Sequence, residues 1–232
     1  MDFTAKDFII LENQDFALIN KPVGIDSEHA MGEGFYPVHR LDKVASGLLL
    51  YAKSPMAARK LSAALQEGKI KKKYHILVES ASVPSETADK VKSLQTADLH
   101  GEDSSSFRRL PKEGRFTDYL YKDTKKQKMF PVKKLRKGVK EAVLHYQVLE
   151  EREGLALVDV ELETGRFHQI RAQFSAHGFP LFGDGKYGSR LKGNVALHCY
   201  TLSFPDPKNG KELHFRIEDR NEEPWGVFQQ KV

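Results

Sequence analysis

The chain has a single cysteine, Cys199, in 232 residues. One thiol excludes an intramolecular disulfide and any zinc cluster built on several thiolates. No apolar run approaches the roughly 20 residues a helix needs to cross a bilayer. The opening stretch MDFTAKDF is acidic and lysine-containing, unlike a secretory signal. The expected compartment is therefore the cytoplasm, with no membrane partner. Metal-ligand spacing is also missing. His29, His39, His168, His177 and His198, with Asp42 and Asp184, contain no HExxH or Cys/His pattern, so no metal is expected. The one glycine-rich loop, Gly183–Gly188, lacks the strand-then-helix context of a phosphate cradle and reads as a turn. No cofactor motif and no internal repeat stand out.

What is present is a globular composition, 40% hydrophobic and 30% charged, in a chain long enough for a sizeable core. The net charge of +5 is unevenly spread. Lys122–Lys140 holds nine Lys or Arg against the single Asp123, a local +8, so the remainder sums to −3. Lys69 and Lys71–Lys73 form a second cluster. Positive charge concentrated on a near-neutral body suggests a polyanionic partner. Over Phe116–Lys140, Tyr119, Tyr121, Met129 and Phe130 are interleaved with the lysines. That pattern suits base stacking with phosphate contact, and equally the anchors of a surface hairpin.

Apolar patterning predicts strands at Phe8–Glu12, Phe16–Asn20, Leu48–Tyr51, Tyr74–Glu79, Ala142–Leu149, Leu155–Leu162, Ala196–Phe204 and Leu213–Ile217. Alternation with short turns favours antiparallel pairing. Two helices are expected. The first has Ser54 as N-cap, Pro55 in its first turn, and Ala57, Leu61, Ala64 and Leu65 as an apolar stripe ending before Gly68. The second spans Thr164–Gly178 with a stripe of Phe167, Ile170 and Phe174. Ser80–Arg115, rich in Ser, Thr and charge, reads as an inserted excursion.

The stretch that organises these elements is Val38–Lys53, VHRLDKVASGLLLYAK. A polar cluster, His39-Arg40-Leu41-Asp42, passes through a Ser-Gly step into an apolar strand. A carboxylate is thus delivered to the mouth of a buried strand, where it can serve as nucleophile or base. Arg40 is close enough in sequence to hold that carboxylate ionised. An Asp tying down its own turn explains the same residues.

Several motifs in fixed order go further. LENQDFALINKPVG, HRLDKVASGLLLYAKS, KKKYHILVE, ELETGRFHQIRAQFSAHGFPLFGDGKYG and ALHCYTLSFPDPKNGKELHF closely resemble the RluA-type RNA pseudouridine synthase family. The resemblance covers Ile9 to about Phe215, apart from Ser80–Arg115. It implies an α+β fold, a mixed, mainly antiparallel bent sheet flanked by helices with a central active-site cleft. Residues 1–232 would form one catalytic domain, a monomer without an S4-like RNA-binding domain.

Implied roles follow residue by residue. Asp42 would attack the target uridine or its ribose. Tyr74 would stack near the flipped uracil and move a proton. Arg171 would pair with Asp42. Arg40 would occupy the space the flipped nucleotide leaves, and Leu197 would wall the base. His39, Arg166 and His168 would add RNA contacts. The partner would be ribosomal or transfer RNA, with no cofactor, because breaking N1–C1′ and re-bonding through C5 changes no oxidation state and needs no group donor. Ala45, where the family usually has Thr or Ser, and a short Lys21–His39 loop depart from the pattern, but neither touches the three catalytic matches. A catalytically silent RNA-binding protein on the same scaffold is the alternative. A glycosidase would need a second carboxylate beside Asp42.

Overall fold

The computed structural model describes residues 5–28, 30–79, 109–218 and 224–228. Among these, eleven strands join one sheet: β1 (Ile9–Glu12), β2 (Phe16–Lys21), β3 (Tyr36–Pro37), β4 (Ser46–Ala52), β5 (Lys71–Glu79), β6 (Glu113–Asp123), β7 (Lys128–Val132), β8 (Val139–Arg152), β9 (Leu155–Leu162), β10 (Leu197–Pro205) and β11 (Glu212–Arg216). Their order is β1-β2-β4-β10-β5-β9-β8-β6-β7, with β3 added on β4 and β11 on β10. Among the described strands, β4 pairs with β10 in parallel and every other pairing is antiparallel.

The β4–β10–β5 seam lies mid-sheet and is unusually tight. Cys199 of β10 stands opposite Gly47 on one side and Tyr74 on the other. Gly47 has φ +110, and a Cβ there would lie 2.2 Å from the Cys199 carbonyl oxygen. Only glycine allows this approach. Every residue of β4 is buried, as a strand covered on both faces requires. Each buried Leu of Leu48–Leu50 contributes roughly 1.5–3 kcal/mol.

Helix α1 (Pro55–Gln66) packs on β4. The Ser54 hydroxyl accepts from the Ala57 N–H at 3.1 Å, Pro55 occupies the first turn, and Ala57, Leu61 and Ala64 face inward. This matches the expectation from the sequence. Helix α2 (Gln169–Ala176) is shorter than expected. Residues 164–168 form a loop because the Gln169 side chain satisfies it: its Oε1 accepts from Thr164 Oγ1 at 2.8 Å and from the Arg166 N–H at 2.9 Å. Accordingly Ile170 and Phe174 enter the main core, whereas Phe167 packs with Leu120, Met129, Ala142, Ala172 and Tyr187.

Of the two readings of the basic segment, the structure has the hairpin: β6 and β7 pair, with Leu120 and Met129 as buried anchors. One further expectation changes. Of the expected excursion, residues 80–108 lie outside the described residues. Residues 109–115 belong instead to the body: Leu110 is in the core, Arg109 pairs with Glu151, and β6 begins at Glu113. No helix of the described residues is long and apolar enough to cross a membrane.

Candidate active site

The loop from β3 to β4 that carries Asp42 is clamped at its backbone. The Ser27 hydroxyl donates to the Leu41 carbonyl at 2.8 Å and accepts from the Leu41 N–H at 3.1 Å. Behind it, the Tyr51 hydroxyl donates to the Ser27 carbonyl at 2.7 Å. The Asp42 carbonyl accepts from the Ala45 N–H at 2.9 Å, closing the turn. A hydroxyl at position 45 is therefore not needed to hold the loop. Asp42 ties its own turn, as Asp does generally, but only through its backbone; its carboxylate points elsewhere.

That carboxylate meets Arg171, which α2 carries across the sheet. Arg171 Nη1 donates to Asp42 Oδ2 at 3.1 Å. The rest of the guanidinium is occupied by Asp184: Nε donates to Oδ2 at 2.6 Å and Nη2 to Oδ1 at 2.9 Å. Side-chain exposure is 4% for Arg171, 1% for Asp184 and 17% for Asp42. The two acids are held unequally. Asp184 takes the two-point, fully buried bond of a structural partner, whereas Asp42 holds one guanidinium N–H and is the more exposed of the two. Asp184 reaches its position because Gly183 has φ +75 and a Cβ there would lie 2.5 Å from the Asn194 carbonyl oxygen.

Charges set the protonation states. Burial raises the Asp42 carboxyl above its ordinary value; Arg171 opposes that by charge and hydrogen bond, Asp184 adds to it, and Lys21 opposes it. Lys21 is itself fully buried at the end of β2, with Nζ donating to the Pro22 and Ile25 carbonyls at 2.9 and 3.0 Å. Burial also lifts the Tyr74 phenol well above its ordinary range, helped by Cys199 and Asp42, so it is protonated at neutral pH. His168 Nε2 lies 3.8 Å from Asp42 Oδ2. Burial, then Arg171, Lys186 and Lys122, push that imidazole down to about 3, so it is neutral. His39 is buried and likewise neutral, lowered by burial and then Lys72 against a smaller opposing backbone hydrogen bond at Arg40.

All eight residues singled out from the sequence line one cleft of about 1060 Å³: His39, Arg40, Asp42, Tyr74, Arg166, His168, Arg171 and Leu197. Its lining joins the loop before β4, Tyr74 of β5 and Leu197 of β10 to the loop before α2. Arg40 is a correction. It does not hold Asp42 ionised; its exposed Nη1 donates to Glu28 at 2.6 Å on the rim, and Arg171 takes the expected ionic role. Arg166 is also peripheral, its Nε donating to the Glu141 carbonyl at 2.9 Å. Among the described residues, no three His, Cys, Asp or Glu side chains converge as metal ligands; His29 lies outside them. Sequence reasoning missed Asp184, Lys21 and Tyr187 as parts of this site. The Gly-Asp-Gly step at 183–185 is the signal that an Asp is being delivered inward by a tight turn.

Residues 15–176 match the family described as RNA pseudouridylate synthase. The chain belongs to this family of isomerases. It is 32% identical over 233 residues to the uncharacterized RNA pseudouridine synthase YlyB of Bacillus subtilis, covering 89% of this chain and 67% of that protein. It is 27% identical over 241 residues to the ribosomal large subunit pseudouridine synthase D of a Neisseria meningitidis serogroup A strain, covering 89% of this chain and 56% of that one. The chain thus spans between about half and two thirds of the length of these relatives. The human RNA pseudouridylate synthase domain containing 1 has the same fold, with a TM-score of 0.68 at 20% identity, over 91% of this chain and 83% of that one.

Removing Asp184 strands a buried guanidinium. Asp184→Ala is expected to lower unfolding free energy by about 3–5 kcal/mol, read from urea midpoints. Asp42→Ala, which removes a partly open partner of an Arg already held by Asp184, should cost much less.

Proposed function

We propose that the chain isomerises uridine to pseudouridine in structured RNA, ribosomal or transfer, with Asp42 as the reacting carboxylate. The observation that carries this reading is the arrangement of Asp42: hydrogen-bonded through Oδ2 to Arg171 and lining the same cavity as Tyr74 and Leu197. The relative named for the ribosomal large subunit favours ribosomal RNA as the first substrate to test.

The chemistry is a rearrangement within one nucleotide. The N1–C1′ bond breaks, the freed uracil turns, and a C5–C1′ bond forms; C5 gives up one proton and N1 gains one. Cleavage leaves C1′ electron-poor, and the Asp42 carboxylate supplies negative charge or a bonding electron pair there. The low-dielectric wall makes that charge more effective than it would be in water. Tyr74 enters as a neutral phenol, so any proton it takes from C5 is matched by one it passes on. To reach C1′ the enzyme must take the base out of its stack, at a cost of a few kcal/mol. Arg40, exposed on the rim, is placed to fill the vacated space, and Leu197 offers an apolar face to the uracil.

The basic β6–β7 hairpin borders the cleft. Lys122 Nζ sits 4.4 Å from the Phe167 ring centroid and Lys128 Nζ 4.8 Å from that of Tyr187. Lys133, Lys134, Arg136 and Lys137 after it are exposed, as phosphate-contacting residues need to be.

Asp42→Asn is expected to lower uridine isomerisation by at least ~10³-fold while RNA affinity stays within about threefold. Pseudouridine mapping of total RNA from a deletion strain carrying wild type or this variant reads the activity and the substrate together. Sites that return equally with both would contradict Asp42 as the reacting group, and no lost site in the deletion would leave RNA binding as the function. Replacing Lys133, Lys134, Arg136 and Lys137 with Gln should weaken RNA binding and reduce the slope of log K against log salt by about three. An unchanged slope would remove these residues from the interface.

A further inference from the structure

Tyr187 closes the short 3₁₀ turn Gly185–Tyr187, three residues after Asp184, and is 4% exposed. Its ring lies under the Arg171 guanidinium, 4.9 Å from the centroid. Its hydroxyl oxygen accepts from the Met129 N–H of β7 at 2.9 Å and stands 3.0 Å from His168 Nδ1. The directions of these bonds are not interchangeable. A backbone N–H can only donate, so the Met129 bond uses a lone pair of the phenol oxygen. The phenol's single proton then needs an acceptor of its own, because a buried donor without one costs about 1–3 kcal/mol. Among the described residues, His168 Nδ1 is the acceptor in reach. A neutral imidazole that accepts at Nδ1 carries its proton on Nε2, and Nε2 is the atom 3.8 Å from Asp42 Oδ2.

We propose that Tyr187 is a positioning residue: by donating to His168 Nδ1 it fixes the Nε2–H tautomer and aims that N–H at the Asp42 carboxylate. The other tautomer would present a lone pair to the carboxylate and repel it. The groups around the ring keep it from gaining a second proton. Arg171, Lys186 and Lys122 face it as cations, Tyr187 as a neutral phenol, and, among the described residues, Asp42 as the one anion. The backbone of His168 shows that its placement is imposed. At φ +48 it lies in the left-handed region, a conformation that costs a non-glycine residue of order 1 kcal/mol and that surrounding contacts must hold. Those contacts are the Tyr187 bond and a stack on Phe167 with centroids 3.7 Å apart. Because Met129 belongs to the basic hairpin, the tautomer of His168 depends on that hairpin being seated on Tyr187.

Two-bond ¹⁵N–¹H correlation spectra of the imidazole of His168 in the free, folded protein read the tautomer directly. The expected pattern is Nε2–H with Nδ1 as acceptor in wild type, and a mixture shifted toward Nδ1–H in Tyr187→Phe. The same variant, checked for folding by thermal melting, should isomerise about tenfold more slowly in single turnover with RNA affinity within twofold. His168→Gln places an amide donor near Asp42 that needs no hydroxyl partner. In that background Tyr187→Phe should change the rate less than twofold. Nδ1–H in wild type, an unmoved tautomer in Tyr187→Phe, or an equal tenfold loss in the Gln background would each overturn the proposal. The rate measurement rests on the uridine-isomerising reading; the spectra do not. A wild type inactive on ribosomal and transfer RNA but carrying the Nε2–H tautomer would fail that reading and leave the positioning of His168 standing.

Discussion

One guanidinium between two carboxylates sets the rest of this site. Taking Arg171 out of water costs several kcal/mol, and Asp184 offsets that cost with a buried two-point bond. Once neutralised and fixed, Arg171 can spare Nη1 for Asp42, and one hydrogen bond at 3.1 Å orients a carboxylate without saturating it. Had Asp42 taken the two-point bond, both its oxygens would be occupied and it would be a structural ion. The two acids thus differ: Asp184 is held at both oxygens and Asp42 through one.

The sheet explains how groups so far apart in sequence meet. Asp42 precedes β4, Tyr74 lies on β5, and Leu197 opens β10, so the parallel β4–β10 contact and the antiparallel β5–β10 contact gather all three at one seam. Gly47 permits the seam's closeness and Gly183 the turn that sends Asp184 back toward it. Arg171 arrives on α2, and the 164–168 loop, tied by Gln169, precedes it with His168 at its end. The hairpin then meets this wall through Lys122 on Phe167 and Lys128 on Tyr187. The basic surface of the hairpin and the buried ion cluster share an aromatic layer.

Much of this was readable in advance, for definable reasons. Eight of the eleven described strands and α1 follow from periodicity and caps, which are local; β3 was not foreseen, and β6 and β7 were foreseen only as a surface hairpin, one of two readings of the basic segment. Asp42, Tyr74 and Arg171 came from ordered motifs, and the cleft that holds them also holds the other five residues singled out. Arg40 misled because nearness in sequence was taken for nearness in space; the turn sends it outward to Glu28. Asp184, Lys21 and Tyr187 escaped because their significance lies in partners thirteen or more residues away, at no periodic spacing. The start of α2 escaped because a glutamine side chain, rather than a capping hydroxyl, holds the loop before it.

The central claim is that Arg171 keeps a partly buried Asp42 ionised, and a ¹³C carboxyl titration of Asp42 tests it most directly. In wild type the midpoint should lie above the ordinary 3.8 but below neutrality, since burial raises it and Arg171 limits the rise. In Arg171→Lys, which loses the fixed guanidinium bond to Oδ2, the midpoint should move further up. A wild-type midpoint above neutrality, or one unmoved by the substitution, would contradict the account.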